Sequence, residues 1–342
     1  MKKALFSKSN HCIIIAEVAQ SHEGSLGMAH AFIDSIADSG ADAVKFQTHI
    51  ASEESTLDEP WRVKFSTQDQ SRYDYWKRME FTEAQWFELA EHAKKRGLLF
   101  LSSPFSVRAV DLLKRIGVSV WKVASGEIRN IELLEAIWQT RQPILFSSGL
   151  SNLDDIASVI EETRKRNIEY GLFQCTSEYP CPPKHWGLNL IDDFRNKYKC
   201  PIGFSDHSGT IYAGLAAVAL RVDFLEVHVT FDRKMFGPDV PSSLTFQDLV
   251  QLVQGVRQIA ASIESPVRKD QLAQDLLPVR KIFERSWALK SNLPAGTIIE
   301  RHHLTLKKPG TGISYSQVEM LLGKKLCAET ASNRLLKPED VE

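Results

Sequence analysis

Eight short apolar runs, each followed by an amphipathic stretch, constrain this chain more than any other feature. They are IIIAEV (13–18), DAVKFQ (42–47), LLFLSS (98–103), VWKVAS (120–125), PILFSS (143–148), YGLFQCT (170–176), PIGFSD (201–206) and FLEVHVT (224–230). Nearly continuous apolar runs rich in β-branched residues suit parallel strands buried on both faces. Helix signals lie between them. Thr82 to Gln85 reads as a capping box, with Gly97 at the far end of that helix. Ser106 caps a helix that stops at Gly117, and Ser151 to Asp154 opens another. Eight βα units predict an α/β fold, a (β/α)8 or TIM barrel, with a doubly wound open sheet as the alternative.

Composition narrows the class. The chain has 342 residues, 43% hydrophobic and 25% charged, enough for a full-sized core. A formal net charge of −1 argues against a nucleic-acid surface. At the N-terminus, two lysines precede an apolar run of only Cys12 to Ala16, too short for a signal or a membrane span. A cytoplasmic protein with no membrane partner is expected. Its five cysteines include no CxxC pair, so free thiols are expected rather than disulfides or zinc ligands.

A barrel collects its chemistry where the strands end, at one face. The strand ends here carry Glu17 and Gln20, Lys45 and Gln47, Ser102 and Ser103, Lys122, Ser125 and Glu127, Ser147 and Ser148, Ser177 and Tyr179. Asp206 with His207 and Glu226 with His228 complete the set. Loops are polar anyway, which accounts for some of these. It does not account for lysines inside AVKFQ and VWKVASGE, because a buried lysine needs a partner. Two such lysines aimed into one pocket suggest a phosphate or carboxylate ligand. His207 and His228 end two successive strands and can hold a metal ion that keeps open positions for substrate. The alternative is one imidazole satisfied in the core and another on the surface.

Thr48 to Arg78 interrupts the rhythm with charged and aromatic residues. It is either a substrate wall at the catalytic face or an insertion whose aromatics pack it on the barrel. The barrel is expected to fill residues 1–264, its last helix running from about Thr245 to Ile263. Residues 265–281, polar with two prolines, read as a linker. Residues 282–342 read as a compact, mostly β module of about 60 residues, small enough to gain by packing on another surface.

Taken together, the motifs resemble the sialic acid synthases, which make nonulosonic acids from phosphoenolpyruvate. The likeness spans nearly the whole chain: IIIAEVAQSHEGSLGMA, GADAVKFQTH, FLSSPF, WKVASGE, LFSSGL, FQCTSEYP, IGFSDHSG, LEVHVTFDR with GPD, and KKPGTGI with LLGKKL. It implies a TIM barrel followed by an antifreeze-like (SAF) domain, which in a domain-swapped homodimer covers the partner's barrel mouth. It also implies a transferase that condenses phosphoenolpyruvate with an N-acyl amino sugar, typically N-acetylmannosamine, and releases phosphate by C–O cleavage.

Residue by residue, the resemblance implies that His207 and His228 bind Mn2+ or Mg2+ and that Glu23 is the catalytic glutamate. Glu23 also reads as a helix N-terminal acid beside Gly24. Lys45, Lys122, Ser103, Ser125, Ser147 and Ser205 match phosphoenolpyruvate-binding positions. Ser177 stands where some members have asparagine, and each serine alone also reads as a capping hydroxyl. Gln47, Glu127, Tyr179 and Asp239 match positions that contact the sugar or the metal's water. Lys308 departs from the family: it opens Lys-Pro-Gly where Arg-Pro-Gly is usual, and lysine lacks the planar fork that arginine offers an N-acyl group. Other readings are a legionaminic or pseudaminic acid synthase using a 2,4-diacetamido hexose, another metal-dependent barrel aldolase or hydrolase, and a glycan- or ice-binding protein.

Overall fold

The computed structural model describes residues 12–342; the N-terminal lysines, Lys2 and Lys3, lie outside them. The chain divides into two compact units, the first ending at Ser265 and the second beginning at Pro266. In the first, eight parallel strands alternate with helices. The strands are β1 Ile13–Ala19, β2 Ala43–Thr48, β3 Leu99–Pro104, β4 Trp121–Val123, β5 Ile144–Ser147, β6 Tyr170–Cys175, β7 Ile202–Asp206 and β8 Phe224–Thr230. All eight coincide with the apolar runs.

The helices that follow them are α1 Leu26–Ser39, α2 Glu83–Lys95, α3 Val107–Ile116, α4 Ile131–Gln139, α5 Leu153–Lys165, α6 Asn189–Tyr198, α7 Tyr212–Ala219 and α8 Phe246–Glu264. Thr82 and Gln85 form a reciprocal capping box on α2, and Gly97 takes a left-handed φ of 79° just past its end. Ser106 caps α3, which ends at Gly117, and Asn152 caps α5.

The ladder runs from β3 through β2, β1, β8, β7, β6 and β5 to β4. β3 and β4 lie side by side and close the cylinder without a regular ladder. This is a (β/α)8 barrel, not an open sheet. The larger core fills the space between strands and helices. A second, smaller core fills the cylinder: Ile15, Ala43, Leu101, Val120, Leu145, Phe173 and Phe224. β7 contributes Gly203 at that level, and the Phe173 ring, stacked on Phe224, occupies the space a side chain would need.

In the second unit, β9 Ser286–Leu289 pairs antiparallel with β10 Leu304–Lys307. Isolated bridges and 3-10 turns wrap a core of Trp287, Leu289, Leu321 and Leu336. The stretch read as a linker is largely helical, with two seven-residue helices, Lys269–Asp275 and Leu277–Phe283. Its prolines do not break them. Pro266 precedes the first helix, and Pro278 sits in the first turn of the second, where a missing N–H costs nothing. Among the described residues no helix is long and apolar enough to cross a membrane. All five cysteines are free.

A methyl at Gly203 would lie 2.5 Å from the Phe173 ring, which is buried on every side. Gly203→Ala is therefore expected to destabilise the barrel by about 1–3 kcal/mol. Urea unfolding checks this, and an unchanged midpoint would refute the close packing.

Candidate active site

The apolar floor of the cylinder sets the level of the site. Side chains along a strand alternate between inside and outside, so the residue two beyond each floor residue also points inward. Stepping forward by two from the floor gives Glu17, Lys45, Ser103, Lys122, Ser147, Cys175, Ser205 and Glu226, one from each strand. A wholly apolar layer is thus capped by a layer that is polar apart from one thiol. All eight residues are buried.

The charges in this layer are arranged as a chain. Lys45 Nζ lies 2.5 Å from Glu17 Oε2 and 3.6 Å from Glu226 Oε1. Lys122 Nζ lies 3.5 Å from the same Glu226 oxygen. Strand register makes the first pair, since Glu17 is opposite Lys45 in the β1–β2 ladder. Ser205 donates to Glu226 at 3.2 Å, Lys45 to Ser103 at 3.4 Å, and Lys122 to Ser147.

Burial pulls the Lys45 ammonium down, but Glu17 and Glu226 more than offset it and hold its pKa above the usual value. Burial pulls Lys122 below its usual value; the Glu226 carboxylate opposes this without offsetting it, and Lys45 adds a smaller repulsion. Burial also works against the charge on Glu226, yet the two ammonium groups hold it ionised, with a pKa of about 2. Its second oxygen, Oε2, is buried without a hydrogen-bond partner.

Beside this chain stand the two histidines, their ring centroids 5.3 Å apart. β1 brings Glu17 opposite His228, so the imidazoles and the lysines share one rim. His207 Nδ1 is 2.8 Å from the Thr176 carbonyl. A carbonyl only accepts, so Nδ1 carries the proton and Nε2 keeps a free lone pair. Burial, with the nearby His228 second, drives the His207 pKa down to about 3, which keeps the ring neutral. Tyr179 stacks on His207 at 4.0 Å, and Asp239 Oδ2 lies 3.9 Å from His228 Nδ1. Among the described residues no group of three or more His, Cys, Asp or Glu side chains forms a complete metal site.

Outside this layer opens a cavity of about 600 Å³. Gln47, Ser125, Ser177, Tyr179, Glu127 and Asp239 all line it, and the Ser125 and Ser177 hydroxyls are 2.9 Å apart. The insertion between β2 and α2 forms one wall through Trp61, Arg62, Phe65, Tyr75 and Trp76. Its aromatics both pack on one another and face the cavity. Phe65 meets Tyr75 edge-on at 5.0 Å, while Trp76 stacks on His49 at 4.1 Å. Arg62 spans the opening, 2.6 Å from Asp239 and 4.4 Å above the Tyr179 ring.

Glu23 joins a different set of contacts. Its backbone is left-handed, with φ 52°, and Arg78 of the insertion pairs with it at 3.0 Å. Burial raises its pKa, Arg78 opposing, and its Oε1 is buried without a hydrogen-bond partner. Lys308 belongs to the second unit, where its ammonium rests 4.9 Å over the Phe283 ring.

Residues 32–268 match the NeuB family. The chain belongs to the NeuB family.

Two relatives align along most of the chain. The N,N'-diacetyllegionaminic acid synthase of Campylobacter jejuni is 34% identical over 91% of this chain and 95% of its own length. The human N-acetylneuraminate-9-phosphate synthase is 31% identical over 97% of this chain and 93% of its own length. Among solved structures, the N-acetylneuraminic acid (sialic acid) synthetase of Leptospira borgpetersenii, crystallised with citrate, superposes with a TM-score of 0.70. It is 30% identical and covers 79% of this chain and 93% of that one.

Several residues of this NeuB-family site escape a reading by motif. Glu17 and Glu226 are as out of place in apolar strands as the lysines. Matching each buried cation with a buried anion would have singled them out as counter-ions. Arg62 carries no such signal, because it sits in irregular chain where no period fixes direction, and Arg78, in the last turn of a short helix over Arg72–Met79, reads as an ordinary surface cation of that helix. The network itself yields a prediction. Glu226→Gln leaves Lys122 with no carboxylate and is expected to cost about 3 kcal/mol of stability. A loss below 1 kcal/mol in urea unfolding would mean that Glu226 is not the shared counter-ion.

Proposed function

We propose that this chain condenses phosphoenolpyruvate with the open-chain aldehyde of an N-acyl amino sugar, N-acetylmannosamine being the reference acceptor. The products are N-acetylneuraminate, or a related nonulosonic acid, and phosphate. One observation carries the reading: two ammonium groups withdrawn from water share a barrel rim with two imidazoles, beneath a cavity wide enough for a sugar. Such a floor can compensate a small, highly charged anion.

In this reading Lys45 and Lys122 face the enol phosphate and its carboxylate. Ser103, Ser125, Ser147, Ser177 and Ser205 supply hydroxyl donors. Lys122 has the more binding capacity to spare, since it shares one carboxylate while Lys45 holds two. Gln47, Glu127, Tyr179 and Asp239 face the acceptor. The enol carbon bonds to the aldehyde carbon, and the aldehyde oxygen takes a proton to become a hydroxyl. Water then adds to the carbon that bears the phosphate. The C–O bond to phosphate breaks, and the bridging oxygen leaves with it. Glu23, with its raised pKa and open buried oxygen, is the candidate base for that water.

His207 and His228 are proposed to hold a divalent cation, Mn2+ or Mg2+. The donor set fits: one ring is neutral, its Nδ1 proton spent on a carbonyl and its Nε2 turned free, and the second ring is beside it. A cation bound there would supply Lewis-acid polarisation of the aldehyde.

Phosphate release from phosphoenolpyruvate with N-acyl mannosamines, together with product mass, tests the proposal. Chelation is expected to abolish turnover and Mn2+ to restore it. Lys122→Ala is expected to raise the phosphoenolpyruvate KM at least tenfold, as loss of a buried charged contact does. Release of no phosphate with any acceptor would reject the reading.

We also propose that the second unit is an antifreeze-like domain and that the chain works in the cytoplasm as a domain-swapped homodimer, with Lys308 serving the partner's site. Mixing His207→Ala chains, which lose the proposed metal ligand and with it turnover, with Lys308→Ala chains is then expected to give more activity than either homodimer alone. Verified heterodimers with no recovery would rule out service in trans.

A further inference from the structure

A run of hydrogen-bonded side chains leads from the charged layer to the wall of the outer cavity, beginning at Glu17 and ending at Glu54. Gln47 Nε2 donates to Glu17 Oε1 at 2.9 Å, and Gln20 Nε2 donates to Gln47 Oε1. The same Gln20 amino group lies 2.8 Å from His49 Nε2, and His49 Nδ1 lies 2.5 Å from Glu54 Oε1. Gln20 and His49 are both buried, and with Gln47 and Glu54 they line the cavity.

Both ends of the run are carboxylates, which only accept. A chain with an acceptor at each end needs one member that donates in both directions. An amino group with two hydrogens can do so, and Gln20 holds that place. Its direction fixes the others. Glu54 takes the proton of His49 Nδ1, so Nε2 is bare and accepts from Gln20. Gln47 Oε1 also lies 3.2 Å from His49 Nε2, but a proton placed between them would face the Gln20 amino group as well, donor against donor. The His49 ring has no room to swing, because Trp76 and Phe105 sandwich it at 4.1 and 4.4 Å.

The Gln47 amide is thereby locked. Turned over, it would set its carbonyl against Glu17 and its amino group against that of Gln20. Its carbonyl is spent on Gln20 and one N–H on Glu17; among the described residues nothing accepts the second N–H.

We infer that Gln20 and His49 are positioning residues for the acceptor: acting through the Gln47 amide, they hold a hydrogen-bond donor toward the sugar and keep the carbonyl turned away. The inference rests on the synthase reading, in which Gln47 faces the acceptor, and adds what sets the sense of that contact. Lys45 stands apart from this lock, because its ammonium holds the other oxygen of Glu17.

Two measurements test it. In the Mg2+-loaded protein labelled with 15N-histidine, His49 is expected to show a protonated Nδ1 and a bare Nε2 near neutral pH, its signals identified by their loss in His49→Gln. A proton on Nε2 overturns the inference without any variant having to be active. In steady-state kinetics, Gln20→Leu and His49→Phe are each expected to raise the KM of the best N-acyl mannosamine about tenfold, as loss of a buried hydrogen bond can, and to move that of phosphoenolpyruvate less than about twofold. His49→Gln, which returns a carbonyl able to accept from Gln20, is expected to recover most of the loss. Added to Gln47→Leu, Gln20→Leu is expected to cost nothing more, since it acts through an amide already removed. An acceptor KM unmoved in both single variants, an equal rise for both substrates, or a Gln20 effect that survives Gln47→Leu overturns the inference and leaves the synthase reading intact. If the native protein releases no phosphate with any acceptor, the synthase reading fails and the acceptor role falls with it, whichever tautomer His49 shows.

Discussion

Two ammonium groups above a hydrocarbon floor are the constraint on which the rest of the site depends. A lysine stripped of water loses several kcal/mol of hydration even after relaxation, and only close opposite charge returns it. The barrel supplies that charge from its own strands, Glu17 on β1 and Glu226 on β8, with serine hydroxyls taking up part of the remaining hydrogen bonds. Two ammoniums and two carboxylates leave the layer formally neutral, but the pairing is uneven. Lys45 sits between both acids and is over-compensated; Lys122 shares one acid and is under-compensated. The unevenness is useful. A fully matched network would have no reason to admit an anion, and an unmatched one could not be buried without it.

The position of that network follows from strand geometry. Each strand buries one residue in the cylinder floor and presents the next inward residue, two positions on, at the rim. Ile15 leads to Glu17, Ala43 to Lys45, Val120 to Lys122 and Phe224 to Glu226. His228 follows by the same step. A slip of one residue in any strand would send its polar group outward into the apolar shell beneath the helices, at the cost of a buried unpaired polar group. The floor and the charged layer therefore specify one another. Where a strand lacks a floor side chain, as at Gly203, a neighbour's ring fills the gap, so the layer above still rests on something solid.

That logic also explains what could be read from the chain alone. Strand periodicity is regular, so the eight strands, the polar rim, both lysines and both histidines are legible in the order of residues. The carboxylates Glu17 and Glu226 are equally visible, but which lysine each one meets depends on register across the ladder, and no single run encodes that. The helices in 266–283 were hidden by prolines, which signal a break when counted as composition and a helix start when their position is considered. Least legible was the wall built by residues 48–78. Arg62 reaches Asp239 across 177 positions of sequence, and irregular chain offers no period from which to infer such a meeting.

The division between strand-borne and loop-borne groups has a chemical consequence. The inner groups are held by strands that are hydrogen-bonded into the ladder, on both sides except at the β3–β4 seam, and cannot shift without unzipping it. The outer wall hangs on an insertion whose own rings interlock and whose arginines tie it back, Arg78 to Glu23 and Arg62 to Asp239. A stack of three flat groups joins the two regions: the Arg62 guanidinium lies on Tyr179, and Tyr179 lies on His207. Tyr179 therefore registers on one face whatever displaces Arg62, and bears on the other against an imidazole at the polar rim. A ligand in the outer cavity competes for Arg62 and Asp239 together, because the two hold each other. Choice of acceptor thus reaches the rim through packed side chains only, while the anion-binding floor, two strand positions deeper, stays where the ladder fixes it.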